Sequence, residues 1–200
     1  MYILWIPSLL IALTIHEYAH AKVADLLGDP TPRLAGRLTL NPLAHLDPLG
    51  TLALFLFHFG WGKPVPIDPY NLQNPRRDQA LISLAGPGSN FTLVLILAIL
   101  SWVFKLSDYS LIYTFILSLA TMNLGLGFFN LLPLGPLDGK KIFLGFLPLN
   151  LAQEWEQVLN QYGLIFLLLL FLPLLRGNSL LGLTLGNTVY FIRHLLFPFT

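Results

Sequence analysis

Length, composition and charge exclude most classes of protein. Of the 200 residues, 55% are hydrophobic and only 10% are charged, whereas an ordinary soluble domain carries about 25% charged residues. The formal net charge of +1 rests on scattered Lys and Arg, which argues against nucleic acid as a partner because phosphate binding needs a concentrated basic patch. Several apolar runs approach the roughly 20 residues that a helix needs to cross a bilayer, so the sequence predicts an all-α, polytopic membrane protein.

Six apolar segments are predicted helices, at residues 2–27, 49–59, 80–104, 111–132, 162–175 and 180–197. The first segment lacks a basic N-terminal region and a small-residue cleavage site, so we do not expect a cleaved signal peptide. The last two segments are short, and they form either a tilted hairpin of helices or two interfacial pieces. The chain has no cysteine, which excludes disulfides, thiolate metal sites and cysteine nucleophiles.

The segment at residues 49–59 is too short to span a membrane. About eleven residues of helix reach roughly 17 Å, against a hydrocarbon core of about 30 Å. We therefore expect a re-entrant segment. Residues 60–67, which follow it, contain Pro64 and Pro66, and these prolines forbid a helix and confine any strand to a sheet edge. The sequence predicts a short extended or hairpin element, an edge strand if any strand forms, whose exposed edge can pair with another chain.

The distribution of Lys and Arg predicts the orientation in the membrane. Residues 1–8 contain no basic side chain. Basic residues instead follow the first segment and precede the third, as Lys22, Arg33, Arg37, Lys63, Arg76 and Arg77. We expect the N-terminus outside and these loops in the cytoplasm. With a re-entrant second segment, Lys140 and Lys141 also reach the cytoplasmic side.

The first segment contains His16-Glu17-Tyr18-Ala19-His20, an H-E-x-x-H pattern. Residues four apart on a helix share a face, so both imidazoles can bind one divalent ion while Glu17 lies beside the open coordination position. Zinc suits such a site, because imidazoles bind it well and three protein ligands leave a fourth position for water. An ionisable group inside a membrane helix costs at least about 2.5 kcal/mol, which favours a functional cluster over a polar cluster that merely packs between helices.

A third ligand is expected from a distant His, Asp or Glu at the same membrane depth, and Asp138 is the best candidate. Pro133 and Pro136 break the fourth segment before this acid. They free backbone carbonyls that are tolerated at membrane depth only inside protein or along a wet cavity. A re-entrant second segment puts Asp138 on the same side of the membrane as His16 and His20, whereas a spanning one would separate them.

Five motifs together resemble the site-2 protease family of intramembrane metalloproteases, peptidase family M50. The first is the H-E-x-x-H pattern. The others are NPLAHLDPLG at residues 41–50, GKPVP at 62–66, AGPGSN at 85–90 and NLLPLGPLDG at 130–139. They occur in the family's order and extend over about two thirds of the chain, so their joint occurrence is specific.

The resemblance implies a catalytic core of three transmembrane helices, formed by the first, third and fourth long segments. It implies zinc ligands at His16, His20 and Asp138, a base at Glu17, and substrate-positioning roles for Asn90 and Asn130. The chain departs from the family at Gly135, where proline is common, and at Lys140-Lys141, where Gly-Arg is common. Neither departure removes a ligand. In 200 residues we also expect none of the PDZ or CBS domains that some members carry.

Three polar residues also have simpler explanations. His45 and Asp47 belong to a family-like loop and can approach the site, but a turn before Pro48 explains them equally well. Asn90 can also be an ordinary hydrogen-bond donor between helices, a role worth about 1 kcal/mol in membranes.

We therefore expect a single integral membrane metalloprotease domain over residues 1–200, with a catalytic core at about 1–141 and C-terminal helices at about 142–200. With one zinc ion and Glu17 as base, it would hydrolyse peptide bonds within or near transmembrane segments of substrate proteins in a lipid bilayer. The expected location is a prokaryotic plasma membrane, with the site towards the cytoplasm. An inactive relative that binds membrane proteins would have lost Glu17 or a ligand, and a transporter would show repeated halves.

Overall fold

A computed structural model describes residues 4–57, 60–106, 110–173 and 179–197. These residues form eight α-helices, together with 3-10 turns at Pro42–His45 and Pro69–Asn71. The helices are α1 (Trp5–Leu26), α2 (Thr31–Leu34), α3 (Pro48–Phe57), α4 (Pro75–Val103), α5 (Leu111–Asn130), α6 (Asp138–Phe146), α7 (Leu149–Phe171) and α8 (Leu180–Leu196). The predicted all-helical class is confirmed for this part of the chain.

Helices α1, α4 and α5 pack against one another at the centre of the fold. Buried Val94 and Leu97 of α4 meet Leu119 and Leu124 of α5, and Ile11 of α1 packs against the same cluster. Helix α8 lies on α5, and α6 lies on α4. The three longest predicted apolar segments therefore lie together and bury their contacts on one another.

Among the described residues, two helices are long and apolar enough to cross a membrane. They are α4 with 29 residues and α5 with 20. Helix α1 has 22 residues, but His16, Glu17 and His20 interrupt its apolar character. The helix that carries the candidate ligands is thus packed beside two apolar helices of membrane-crossing length.

The chain just before helix α3 and the chain that follows the helix lie side by side. Leu46, just before the helix, forms an isolated antiparallel bridge with Gly62, and Lys63 N donates to the carbonyl oxygen of His45 at 2.9 Å. The predicted edge strand is wrong, because residues 60–67 form no regular strand beyond this single bridge. The ladder cannot continue, because the chain that would pair with residues 64–67, Pro42–His45, is a 3-10 turn. The end of the predicted segment, residues 58–59, lies outside the described residues.

The C-terminal region is more helical than predicted. The segment expected at residues 162–175 belongs to the longer helix α7, which begins at Leu149. The sequence prediction missed its first half because polar residues such as Gln153, Glu154 and Glu156 interrupt the apolar run. Residues 174–178 lie outside the described part of the chain. Helix α6, which precedes α7, begins at the candidate ligand Asp138.

Candidate metal centre

Two histidines project from the same face of α1. His16 and His20 lie one helical turn apart, and their rings meet edge to face with centroids 4.6 Å apart. Only 3% of His16 and 7% of His20 is exposed. Both imidazoles therefore point into the protein, where α4 and the start of α6 meet α1.

Asp138, the first residue of α6, reaches the same point. The chain between α5 and α6 turns through Gly135, whose φ of +51° favours glycine. The carboxylate oxygen Oδ2 of Asp138 lies 3.1 Å from Nε2 of His16 and 3.1 Å from Nε2 of His20. The structure thus brings the three predicted zinc ligands together, with their ligand atoms within 4.8 Å of one another.

Hydrogen bonds to the other ring nitrogens fix how the imidazoles present Nε2. Nδ1 of His20 lies 2.7 Å from the carbonyl oxygen of Ile82, which can only accept, so Nδ1 donates. Nδ1 of His16 likewise donates to Oδ1 of Asn90 at 2.7 Å. In neutral imidazoles, both Nε2 atoms then direct a lone pair towards the Asp138 carboxylate. Three acceptor atoms that converge in this way need a proton or a metal ion among them, and this set of two nitrogens and one oxygen fits zinc.

A buried relay of amides sets the orientation of Asn90. Its Nδ2 donates to the carbonyl of Ala12 at 3.1 Å and to Oδ1 of Asn123 at 2.8 Å, which leaves its own Oδ1 facing His16. Asn123 Nδ2 donates in turn to the carbonyl of Leu119 at 2.8 Å. Both amides are fully buried. Because the relay ends on main-chain carbonyls, flipping either amide would set two acceptors against each other.

Two residues of the centre were not predicted as site residues. Asn123 is one, and its signal in the sequence is an amide in the middle of an apolar helix. The other is Gly86, where a Cβ would lie 2.4 Å from Nε2 of His20 and 2.6 Å from Cε1 of His16. Glycine at this position lets α4 approach the imidazoles, and any side chain would displace the ligands.

Glu17 is half-buried on α1, next to His16 in the chain. Its charge attracts the guanidinium of Arg37, a buried residue in the loop after α2. Burial lowers the pKa of Arg37, and the attraction to Glu17 opposes that change. Arg37 also donates to the carbonyl of Lys63. Arg37 therefore anchors the segment that returns from α3, and its guanidinium also feels the charge of Glu17.

His45 and Asp47 do not join the ligand group in the described structure. His45 is fully buried, and its Nε2 donates to the carbonyl of Thr39 at 2.8 Å. Asp47 Oδ1 accepts from Gly50 N at 2.8 Å in the first turn of α3. The turn before Pro48 thus accounts for Asp47, and the hydrogen bond to Thr39 accounts for His45.

Asn130 is the last residue of α5 and lies where the chain leaves that helix towards Asp138. Its Nδ2 donates to the carbonyl of Leu126 at 3.0 Å, within its own helix. Its role in positioning substrate stays a prediction. Asn90, by contrast, contacts a candidate ligand directly.

Comparison with known proteins points to one family. The sequence profile of Peptidase family M50 matches residues 104–170, a range that includes Asp138. YwhC of Bacillus subtilis is 39% identical over 171 residues, which cover 82% of this chain and 78% of the relative. Rip2 of Mycobacterium tuberculosis is 32% identical over 187 residues, which cover 88% of this chain and 70% of the relative. Both relatives carry names of the zinc metalloprotease class. No solved structure matches the chain.

The relay predicts that Asn123 controls zinc affinity without touching the ion. Asn123→Ala should weaken zinc binding by about 10-fold to 100-fold, because Asn90 is then free to turn and the Nδ1 hydrogen bond of His16 weakens. Zinc affinity is measured by competition with a chelator. Ser118→Ala is the matched control, since it removes a hydrogen bond between α1 and α5, from Ser8 Oγ at 3.0 Å, outside the relay.

Asn90→Ala should also weaken zinc binding, and the double variant should bind zinc no more weakly than Asn90→Ala alone. Unchanged zinc affinity in a folded Asn123→Ala protein, or an equal loss in Ser118→Ala, would contradict the relay.

Proposed function

Because the chain belongs to peptidase family M50 and is a zinc metalloprotease of the membrane, we propose that it hydrolyses peptide bonds within or near the transmembrane segments of other membrane proteins. We assign the zinc ion to His16, His20 and Asp138. The observation that carries this assignment is the convergence of two imidazole nitrogens and one carboxylate oxygen, with no donor between them. The substrate class is supported by the packing of α1 against two helices of membrane-crossing length.

Glu17 is the general base of the proposed reaction. Zinc, when bound, supplies a Lewis acid that polarises a peptide carbonyl and makes water more acidic. Glu17, adjacent to His16 on α1, takes a proton from the attacking water as the carbon–oxygen bond forms. It then delivers that proton to the leaving nitrogen as the carbon–nitrogen bond breaks. Asn90 contributes by holding the ring of His16 through the 2.7 Å hydrogen bond.

We propose that residues 63–67 receive the substrate. A helical substrate hides its carbonyls in intrahelical hydrogen bonds, so it must be locally unwound before cleavage, and an unwound chain seeks main-chain partners. The anchoring of this segment supports the proposal. The main-chain nitrogen of Lys63 donates to the carbonyl of His45, and the carbonyl of Lys63 accepts from the Arg37 guanidinium. The charge of Glu17 also acts on the guanidinium of Arg37, which links this anchor electrostatically to the proposed base.

We further propose that α3 enters and leaves the membrane on one face and that the centre opens towards the cytoplasm of a multi-pass protein. The helix has only ten residues, about half of what a span needs. The bridge between Leu46 and Gly62 joins the chain on its two sides. The excess of Lys and Arg in the flanking loops supports the cytoplasmic orientation.

Glu17→Gln should abolish cleavage of a membrane substrate and leave zinc bound. The amide keeps the shape of the side chain but cannot accept the proton of water, and loss of a general base costs about 10²-fold to 10⁴-fold in rate. Cleavage is followed in membranes, and zinc content is measured on the same purified sample. Glu154→Gln, an exposed change on α7, is the matched control and should cleave normally. Undiminished cleavage by Glu17→Gln would remove Glu17 from the role of base.

Cysteine labelling should place the loops before and after α3 on one side of the membrane. The chain has no native cysteine, so single exposed replacements at Arg33, Arg77 and Lys105 report their own positions. In intact cells, an impermeant thiol reagent should label only position 105. Positions 33 and 77 should react after permeabilisation. Labelling of position 77 but not of position 33 from outside would show that α3 spans the membrane and would overturn the proposed topology.

A further inference from the structure

A charged cavity lies where α4 begins, between the first turn of that helix, α6 and α7. Its volume is about 470 Å³, and it is open to the surroundings on one side. Its wall includes Arg76, Lys140 and Lys141, and Glu156 is the one acidic side chain among the described residues that line it. Three cations against one anion leave a local excess of two positive charges. The cavity does not include any of the proposed zinc ligands.

Two of the three cations are held in place by the fold. Arg76 Nε donates to the carbonyl of Leu144 at 3.0 Å, and a terminal nitrogen donates to that of Gly145 at 3.4 Å. Lys140 Nζ donates to Oδ1 of Asn160 on α7. A guanidinium has five N–H groups and an ammonium has three, so both keep donors for a further acceptor. Lys141 is exposed.

The cavity lies at the start of a candidate membrane span, where a helix that crosses the bilayer would meet the headgroup layer. Pro75 and Arg76, at the start of a helix long and apolar enough to cross the bilayer, form part of its wall. Apolar side chains are exposed nearby, since Phe146 at the end of α6 is 67% exposed and Leu149 at the start of α7 is 59% exposed. Trp155 of α7, 45% exposed, is a side chain typical of the membrane–water boundary.

We propose that this cavity binds the phosphate of an anionic phospholipid headgroup. Basic pockets between helices at the cytoplasmic boundary recognise such headgroups through charge-assisted hydrogen bonds, while the acyl chains lie on exposed apolar surface. A soluble phosphate would have the same charge but would not use the exposed Phe146 and Leu149. The proposal depends on α4 as a membrane span and not on proteolysis.

A bound headgroup would also contact the turn that carries a proposed zinc ligand. Gly135, Pro136 and Leu137 line the cavity and directly precede Asp138. Gly135 is close-packed on α7, because a Cβ on Gly163 would lie 2.9 Å from Gly135 N. A headgroup in the cavity would contact this turn together with α6 and α7. Anionic lipid should therefore stabilise the folded protein.

The test compares the thermal stability of the full chain in phosphatidylcholine nanodiscs with and without phosphatidylglycerol. Phosphatidylglycerol should raise the Tm of the wild type by about 2–4 °C. Lys140→Gln/Lys141→Gln should lose this increase, and Lys140→Arg/Lys141→Arg should keep it. Lys22→Gln/Arg77→Gln is the matched control, because it removes two exposed cations outside the cavity. It should respond as the wild type does.

Three outcomes would overturn the proposal. They are no Tm increase in the wild type, an equal loss of the increase in both glutamine double variants, and the same increase from inorganic phosphate in pure phosphatidylcholine. Glu17→Gln should retain the lipid response, so a failure of the proteolytic assignment can be told apart from a failure of the lipid site.

Discussion

Three potential ligand atoms meet between α1 and α6, and their negative potential favours a positive charge, a metal ion or a proton, among them. Nε2 of His16, Nε2 of His20 and Oδ2 of Asp138 converge, while the Nδ1 hydrogens of both imidazoles are already donated elsewhere. Without a cation, the two lone pairs would face a buried carboxylate, an arrangement that costs several kcal/mol. The packing of α1 on α4 and of α4 on α6 holds these three atoms together.

Small residues and fixed amides make that convergence sterically and electrostatically feasible. Gly86 allows α4 to approach both rings. Gly139 lets the start of α6 pack closely against the chain that leaves α5, because a Cβ there would lie 2.3 Å from the carbonyl oxygens of Leu131 and Leu132. Asn90 and Asn123 connect α1, α4 and α5 through donors that each have one acceptor of fixed direction. The orientation of His16 is thus set by three helices and not by α1 alone.

The sequence predicts those parts of the centre that have a fixed local spacing or that are energetically costly inside an apolar helix. His16 and His20 stand out because ionisable groups are rare in an apolar helix, and Asp138 follows from the prolines that break the chain before it. Asn123 was missed because its role depends on which helix it faces, and spacing along the chain does not contain that information. The start of α7 at Leu149 was missed because an amphipathic half-helix lacks an apolar run. The edge strand at residues 60–67 was predicted from local composition, but its would-be partner, Pro42–His45, is a 3-10 turn, and composition does not contain that information.

X-ray absorption at the zinc edge gives the sharpest test of the three-ligand centre, because it reports the ligands of the ion in the purified protein. We expect one zinc per chain with two imidazoles and oxygen ligands, at zinc–nitrogen and zinc–oxygen distances of about 2.0–2.2 Å. In Asp138→Ala, imidazole scattering from any zinc that remains should persist, while zinc occupancy falls. Absence of imidazole scattering in the wild type, or full zinc occupancy with an unchanged spectrum in Asp138→Ala, would contradict the three-ligand centre.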